Sequence, residues 1–162
     1  MERQDLAQSI GLLILRVGIG GYMLTHGWGK LQMVLAGDFG KFGDPIGLGS
    51  GLSLVLVTIA EFLCPLAVMF GFATRVAAAV TVVSMSVAAF VAHGADPWTM
   101  ERGYQLFMAG EAKSWASKEP ALLYLIPYLA LIFTGAGGFS VDGLVRQKSR
   151  ERRSGRKGAK LR

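Results

Sequence analysis

The sequence predicts an all-α protein: an integral membrane four-helix bundle with both termini in the cytoplasm. Three observations lead there. The 162 residues are 52% hydrophobic and only 17% charged, with mean hydropathy +0.43, fewer charges than a soluble domain normally carries. The apolar residues come in blocks long enough to cross a bilayer, which takes about 20 residues of helix. No block shows the alternation over roughly ten residues that marks a membrane β-strand. In lipid each backbone polar group must be satisfied within its own segment, so helices follow.

Four segments carry the prediction: residues 6–26, 52–70, 74–92 and 121–137. The first holds Gly11, Gly18, Gly20 and Gly21, with Gly27 beyond. The third holds Ala77, Ala78, Ala79, Ser84, Ser86, Ala88 and Ala89. Such small residues let helix backbones approach closely in lipid. Only GFAT separates segments two and three, so these are antiparallel neighbours. The link KLQMVLAGDFGKFGDPIGLGSG reads as an irregular loop with a short amphipathic piece at 31–35. The link between segments three and four holds Asp96, Trp98, Trp115, Lys118 and Glu119, and predicts a short interfacial helix near 105–112. Its tryptophans suit the headgroup level. A faint internal echo joins PLAVMFG to PYLALIFTG, and Arg16-Val17 to Arg75-Val76.

Charge sets the expected topology and partners. The formal net charge is +6, and nearly all the excess lies after Val145. The chain therefore divides into a membrane domain, residues 1–145, and a basic tail, 146–162, expected to be unstructured for want of apolar residues. The tail and the GFATR turn are basic while the two long loops are near neutral, which puts the termini and that turn in the cytoplasm. A basic tail directly after a span contacts the bilayer's anionic headgroups, here through Arg146 to Arg162. No nucleic-acid partner is expected. The amino terminus MERQDLAQSI has mixed charge and no small-residue cleavage site follows, so the first segment is expected to be retained. Cys64 stands alone, so no intrachain disulfide or CxxC relay exists. Redox chemistry would need a bound small molecule or a partner.

The candidate functional residues are polar groups inside apolar segments. An ionised side chain at the bilayer centre costs about 2.5–3.5 kcal/mol on insertion scales. Arg16 lies about ten residues, or about 15 Å, into segment one, and Glu61 lies about 13 Å from the same side of segment two. Equal depth makes each the other's expected partner, either fixing register or lining a pocket. Pro65 lacks the N–H that would bond the Glu61 carbonyl, which leaves that carbonyl free and predicts a kink. His26 and His93, each followed by glycine at an outer helix end, are candidate proton-exchanging groups. Tyr22 and Tyr128 are candidate pocket residues beside Arg16 and Glu61, and Tyr124 flanks Pro127 with Tyr128. Two histidines without a nearby thiolate or carboxylate predict no metal site. No phosphate-binding loop, nucleophile elbow or HExxH motif is present.

Four stretches, in order, resemble one family. LILRVGIGGYMLTHGWGKL, AEFLCPLAVMFGFATRVAAAV, AAFVAHG and TGAGGFSVDGL are similar to the successive motifs of the DoxX family of small membrane proteins. The likeness runs from Leu12 to Leu144. It implies a four-helix, multi-pass protein of the plasma (inner) membrane. Arg16, His26, Glu61, Arg75 and His93 stand at the family's polar positions, and Gly138 replaces a basic residue often found there. Family members include the small subunit of a thiosulfate:quinone oxidoreductase and components of complexes linked to oxidative and thiol stress. The resemblance implies a subunit of a membrane redox complex, with a quinone as the candidate cofactor, no covalently bound group, a redox partner protein and a candidate homo-oligomer. Glu61, His26 and His93 would be its catalytic residues, and Arg16 with Glu61 would hold the substrate. The alternative is a non-catalytic assembly protein whose Arg16–Glu61 pair is structural.

Overall fold

A computed structural model describes residues 3–160. Its regular secondary structure is helical, with no strand among the described residues. Helix α1 spans Arg3–Leu35. Helix α2, Ser50–Thr58, passes through a π-helical turn, Ile59–Leu63, into α3, Cys64–Phe70. Helix α4, Thr74–Val87, ends in a second π turn, Ala88–Ala92. Helix α5 covers Met100–Met108, α6 Glu119–Thr134 and α7 Val141–Lys160. Among the described residues, three continuous helices are long and apolar enough to cross a membrane: Asp5–Leu35, Ser50–Phe70 and Thr74–Ala92. The apolar α6 has 16 residues, about 24 Å of helix.

Helix α1 packs along α2 and α3, α3 along α4, and α4 along α6. The buried core is Met23, Val68, Ala77, Ala78, Met85, Ala89, Ala121, Tyr128 and Leu131. The alanines of α4 give α6 its close approach, as the small-residue pattern predicts. On α1 only two glycines serve that purpose. A Cβ on Gly20 would strike Met69 and the Pro65 carbonyl, and one on Gly27 would strike the Glu61 backbone. Gly11, Gly18 and Gly21 face open space. Gly20 and Gly27 lie about two turns apart on one face, and they set the register of α1 against α3.

Three expectations are corrected here. The piece at 31–35 is the last turn of α1, because the helix runs on unbroken past His26. The interfacial helix starts earlier than expected, at Met100, where the Thr99 side chain caps it by accepting from the Arg102 N–H. The tail expected to be unstructured continues α7 to Lys160. Ser140 starts α7 by accepting from the Gly143 N–H, and Asp142 in the first turn suits the helix dipole. The Lys, Arg, Gln and Glu residues that follow are good helix formers.

Candidate functional site

Arg16 and Glu61 do not meet. Arg16 is completely buried. Its guanidinium donates to the carbonyls of Val68 (3.2 Å), Met69 (3.1 Å) and Phe139 (2.6 Å). The first two are carbonyls of the last turn of α3, which the helix itself cannot satisfy. Gly71, at φ +69°, closes that turn in the left-handed conformation. The Phe72 N–H bonds Ala67 and the Gly71 N–H bonds Val68, a Schellman closure. A cation there also meets the negative end of the helix dipole. Asp142 completes the knot: its carboxylate accepts from the Ala73 and Thr74 N–H groups at the start of α4. Arg75 makes a parallel bond, to the Phe133 carbonyl near the end of α6 (3.0 Å). The two arginines of the internal echo thus each bind a carbonyl in the last turn of a neighbouring apolar helix.

Glu61 takes a different partner. Its carboxylate pairs with Lys30 of α1 at 2.5 Å, with the two side chains 6% and 23% exposed. The register explains the exchange. Gly20 faces residues 65 and 69, Gly27 faces 61, and so Arg16 reaches 68 and 69. The π turn brings Glu61 inward. Its closing bond runs from the Cys64 N–H to Ile59, five residues back, which takes the helical donor from the Ala60 carbonyl, and Pro65 has no N–H to offer that of Glu61. The Thr81 hydroxyl donates to the first (2.9 Å), and Gly27 lies against the second.

Beside this pair is a cavity of about 460 Å³, within the range of small-molecule sites. Met23, Met85, Ala88 and Ala121 supply apolar wall, while His26, Lys30, Glu61, His93 and Tyr124 supply polar groups. Met23, His26 and Lys30 project from one stripe of α1. His26 meets the Tyr124 ring edge-on, with centroids 5.3 Å apart. His93 follows the second π turn directly, and its Nδ1 lies 2.7 Å from Asp96 Oδ2. One π turn therefore delivers Glu61 and the other His93 to the same space, in keeping with the frequent placement of such turns at functional sites.

The structure thus gathers His26, Glu61 and His93, and leaves three predicted residues outside. Arg16 is in the knot at the other end. Tyr22 is 72% exposed on the outer face of α1. Tyr128 is buried in the core, its hydroxyl without a partner among the described residues. Tyr124, one turn before Tyr128, takes the place expected of Tyr128. Lys30 escaped the sequence reading, although its spacing of four from His26 and seven from Met23 puts all three on one helical face. Among the described residues no group of three or more His, Cys, Asp or Glu is placed to hold a metal.

Long apolar helices around a cavity lined by ionisable groups define a helical membrane protein with a candidate ligand site. The chain belongs to the DoxX family, whose model matches residues 11–94, just over half of the sequence. It is 28% identical over 143 residues to the inner membrane protein YqjF of Escherichia coli (strain K12), covering 87% of this chain and 96% of that protein. No solved structure matches. The matched region contains Arg16, Gly27, Lys30, Glu61 and His93, so both the knot's cation and most of the cavity's polar groups lie within it.

Proposed function

We propose that this protein is a multi-pass inner-membrane subunit that binds a quinone-type ligand in the Glu61 cavity and serves a membrane redox complex. The cavity carries the reading. It joins an apolar wall to converging ionisable groups, which suits a flat apolar molecule with a polar, proton-exchanging head. Lys30 and Glu61 orient the head, and the His26 and His93 imidazoles can each pass a proton to or from it. The bound molecule supplies the electron chemistry; the chain holds it, orients it and limits its contact with water. The inner-membrane relative and the three long apolar helices support the location. In this reading α6 is the fourth span and the termini are cytoplasmic, from the basic tail and the GFATR turn. Helix α7 then presents a basic surface to anionic headgroups.

Trp115 lines the cavity and reports on it. Full-length protein in lipid nanodiscs, titrated with a short-chain quinone, is expected to show saturable quenching of Trp115 fluorescence. Lys30→Met and Glu61→Gln should each weaken binding about tenfold, roughly 1.4 kcal/mol. Tyr22→Phe should change nothing. Unsaturable quenching, or equal affinity in all variants, overturns the reading and favours a non-catalytic assembly role.

A further inference from the structure

We infer that Asp96 is a positioning and specificity-determining residue: it holds the His93 proton on Nδ1, presents Nε2 to the cavity as an acceptor, and so selects a hydroxyl-bearing ligand over its carbonyl form. The inference rests on the cavity being a ligand site. His93 lines that cavity; Asp96 does not. The Asp96 carboxylate lies 2.7 Å from Nδ1. An ionised carboxylate only accepts hydrogen bonds, so Nδ1 must carry the hydrogen. In the neutral ring the second nitrogen is then an acceptor, and this second partner sets the tautomer as it does for metal-ligating and catalytic histidines.

The turn that bears the pair is bolted in place. The Asp96 N–H donates to the His93 carbonyl (3.0 Å). Lys118, 7% exposed, donates through Nζ to the carbonyls of Gly94 (2.9 Å) and Asp96 (2.5 Å). Its ammonium also lies 5.3 Å from the centre of the Trp98 ring, and its backbone N–H donates to Pro97 (3.0 Å). Lys118 directly precedes α6, the helix that supplies Tyr124 to the cavity. Lys118 thus ties the turn after His93 to the start of the helix that carries Tyr124. The other ionisable groups facing the space are His26, Tyr124 and the Lys30–Glu61 pair, with the Ser114 and Ser117 hydroxyls beside them. Among these, His93 is the ring whose second nitrogen is tied to a carboxylate, so its Nε2 is the acceptor whose state Asp96 sets for a ligand hydroxyl. A hydroquinone-type ligand offers that hydroxyl; the oxidised carbonyl form offers only another acceptor.

The test is nitrogen-15 NMR of histidine-labelled full-length protein in nanodiscs, with neutral imidazole, followed by binding of paired hydroquinone and quinone probes. His93 is expected in the Nδ1–H tautomer without any ligand. Asp96→Asn should mix the tautomers and cut the hydroquinone-over-quinone preference from about tenfold to about twofold, on the scale of one hydrogen bond. Asp96→Glu should restore much of it. The Nε2–H tautomer in the wild-type protein, or an unchanged tautomer in Asp96→Asn, overturns the inference, and the wild-type spectrum decides even if the variant does not fold. An Nδ1–H tautomer that responds to Asp96→Asn, together with no binding of either probe, supports the positioning role and rejects the quinone site instead.

Discussion

Arg16 and Lys30 are two cations on one helix, about four turns apart, and they do opposite things. Arg16 is sealed from solvent and donates through both terminal nitrogens to three backbone carbonyls on two other segments. Lys30 is partly exposed and is held by one carboxylate at the edge of a cavity. The first arrangement closes the fold, since its acceptors are fixed backbone and little room remains for a ligand. The second is adjustable, because a side-chain ion pair beside open space can exchange partners. An ionisable residue inside a membrane helix is thus informative only once its acceptors are known. Backbone acceptors at a helix end mark architecture, and a side-chain partner facing a void marks a candidate site.

The largest effect should come from the closed end. Arg16→Met removes the side-chain donor from the Met69 and Phe139 carbonyls, while that of Val68 keeps the Gly71 N–H, and should cost about 3–5 kcal/mol, on the scale of breaking a buried charged network. Arg16→Lys should recover less than half, because an ammonium cannot reproduce the planar fork. Thermal unfolding in mild detergent measures both, and a loss below about 1 kcal/mol would sever Arg16 from the fold.

A middle-sized effect sharpens the contrast along α1. Gly27→Leu should force α1 away from the Glu61 backbone, costing about 1–3 kcal/mol by overpacking, and should abolish ligand binding. Gly18→Leu, which meets open space, should leave both within error. Equal behaviour of the two variants would mean that Gly27 does not set the register.

The smallest effect lies outside the spans. Asp44 accepts from the Leu48 and Gly49 N–H groups and the Ser53 hydroxyl, pinning the loop before α2. The Ser53 hydrogen bond, then that of Gly49, holds its carboxyl below the ordinary aspartate value. A depressed value means the loop's added stability is present above the ordinary aspartate value and is lost as pH falls through the lowered one. Amide exchange at Leu48 and Gly49 should therefore quicken across that acidic window and stay flat above it. Asp44→Asn should remove most of that step, with no change at the cavity.

Much of this architecture was legible in the sequence, because apolar blocks and the short GFAT link leave few alternatives. The spans from 50 to 70 and from 74 to 92 lie where composition puts them. The partner of Glu61 was not legible. Counting depth from the N-terminal end of segment one assumed that its start lies level with Phe70 at the end of segment two. The first turns of α1 instead run beyond the end of α3, beside Gly137 and Gly138, so the count misplaces Arg16 by about ten residues against Glu61, or about 15 Å. Only contact-level facts, Gly20 on residues 65 and 69 and Gly27 on 61, fix the true register. His93 was legible as a polar group at a helix end; His26, expected at one, lies inside α1. The Asp96 hydrogen bond needed the turn after the second π segment, which no local pattern announces.

The central claim is that Glu61 belongs with Lys30 and not with Arg16. Double-mutant cycles on unfolding in detergent test it directly, pairing Glu61→Gln once with Lys30→Met and once with Arg16→Gln. The expected result is a coupling of about 1–3 kcal/mol for Lys30 and less than about 0.5 kcal/mol for Arg16, the limit for sites that share no contact. Strong coupling to Arg16 with none to Lys30 would contradict it.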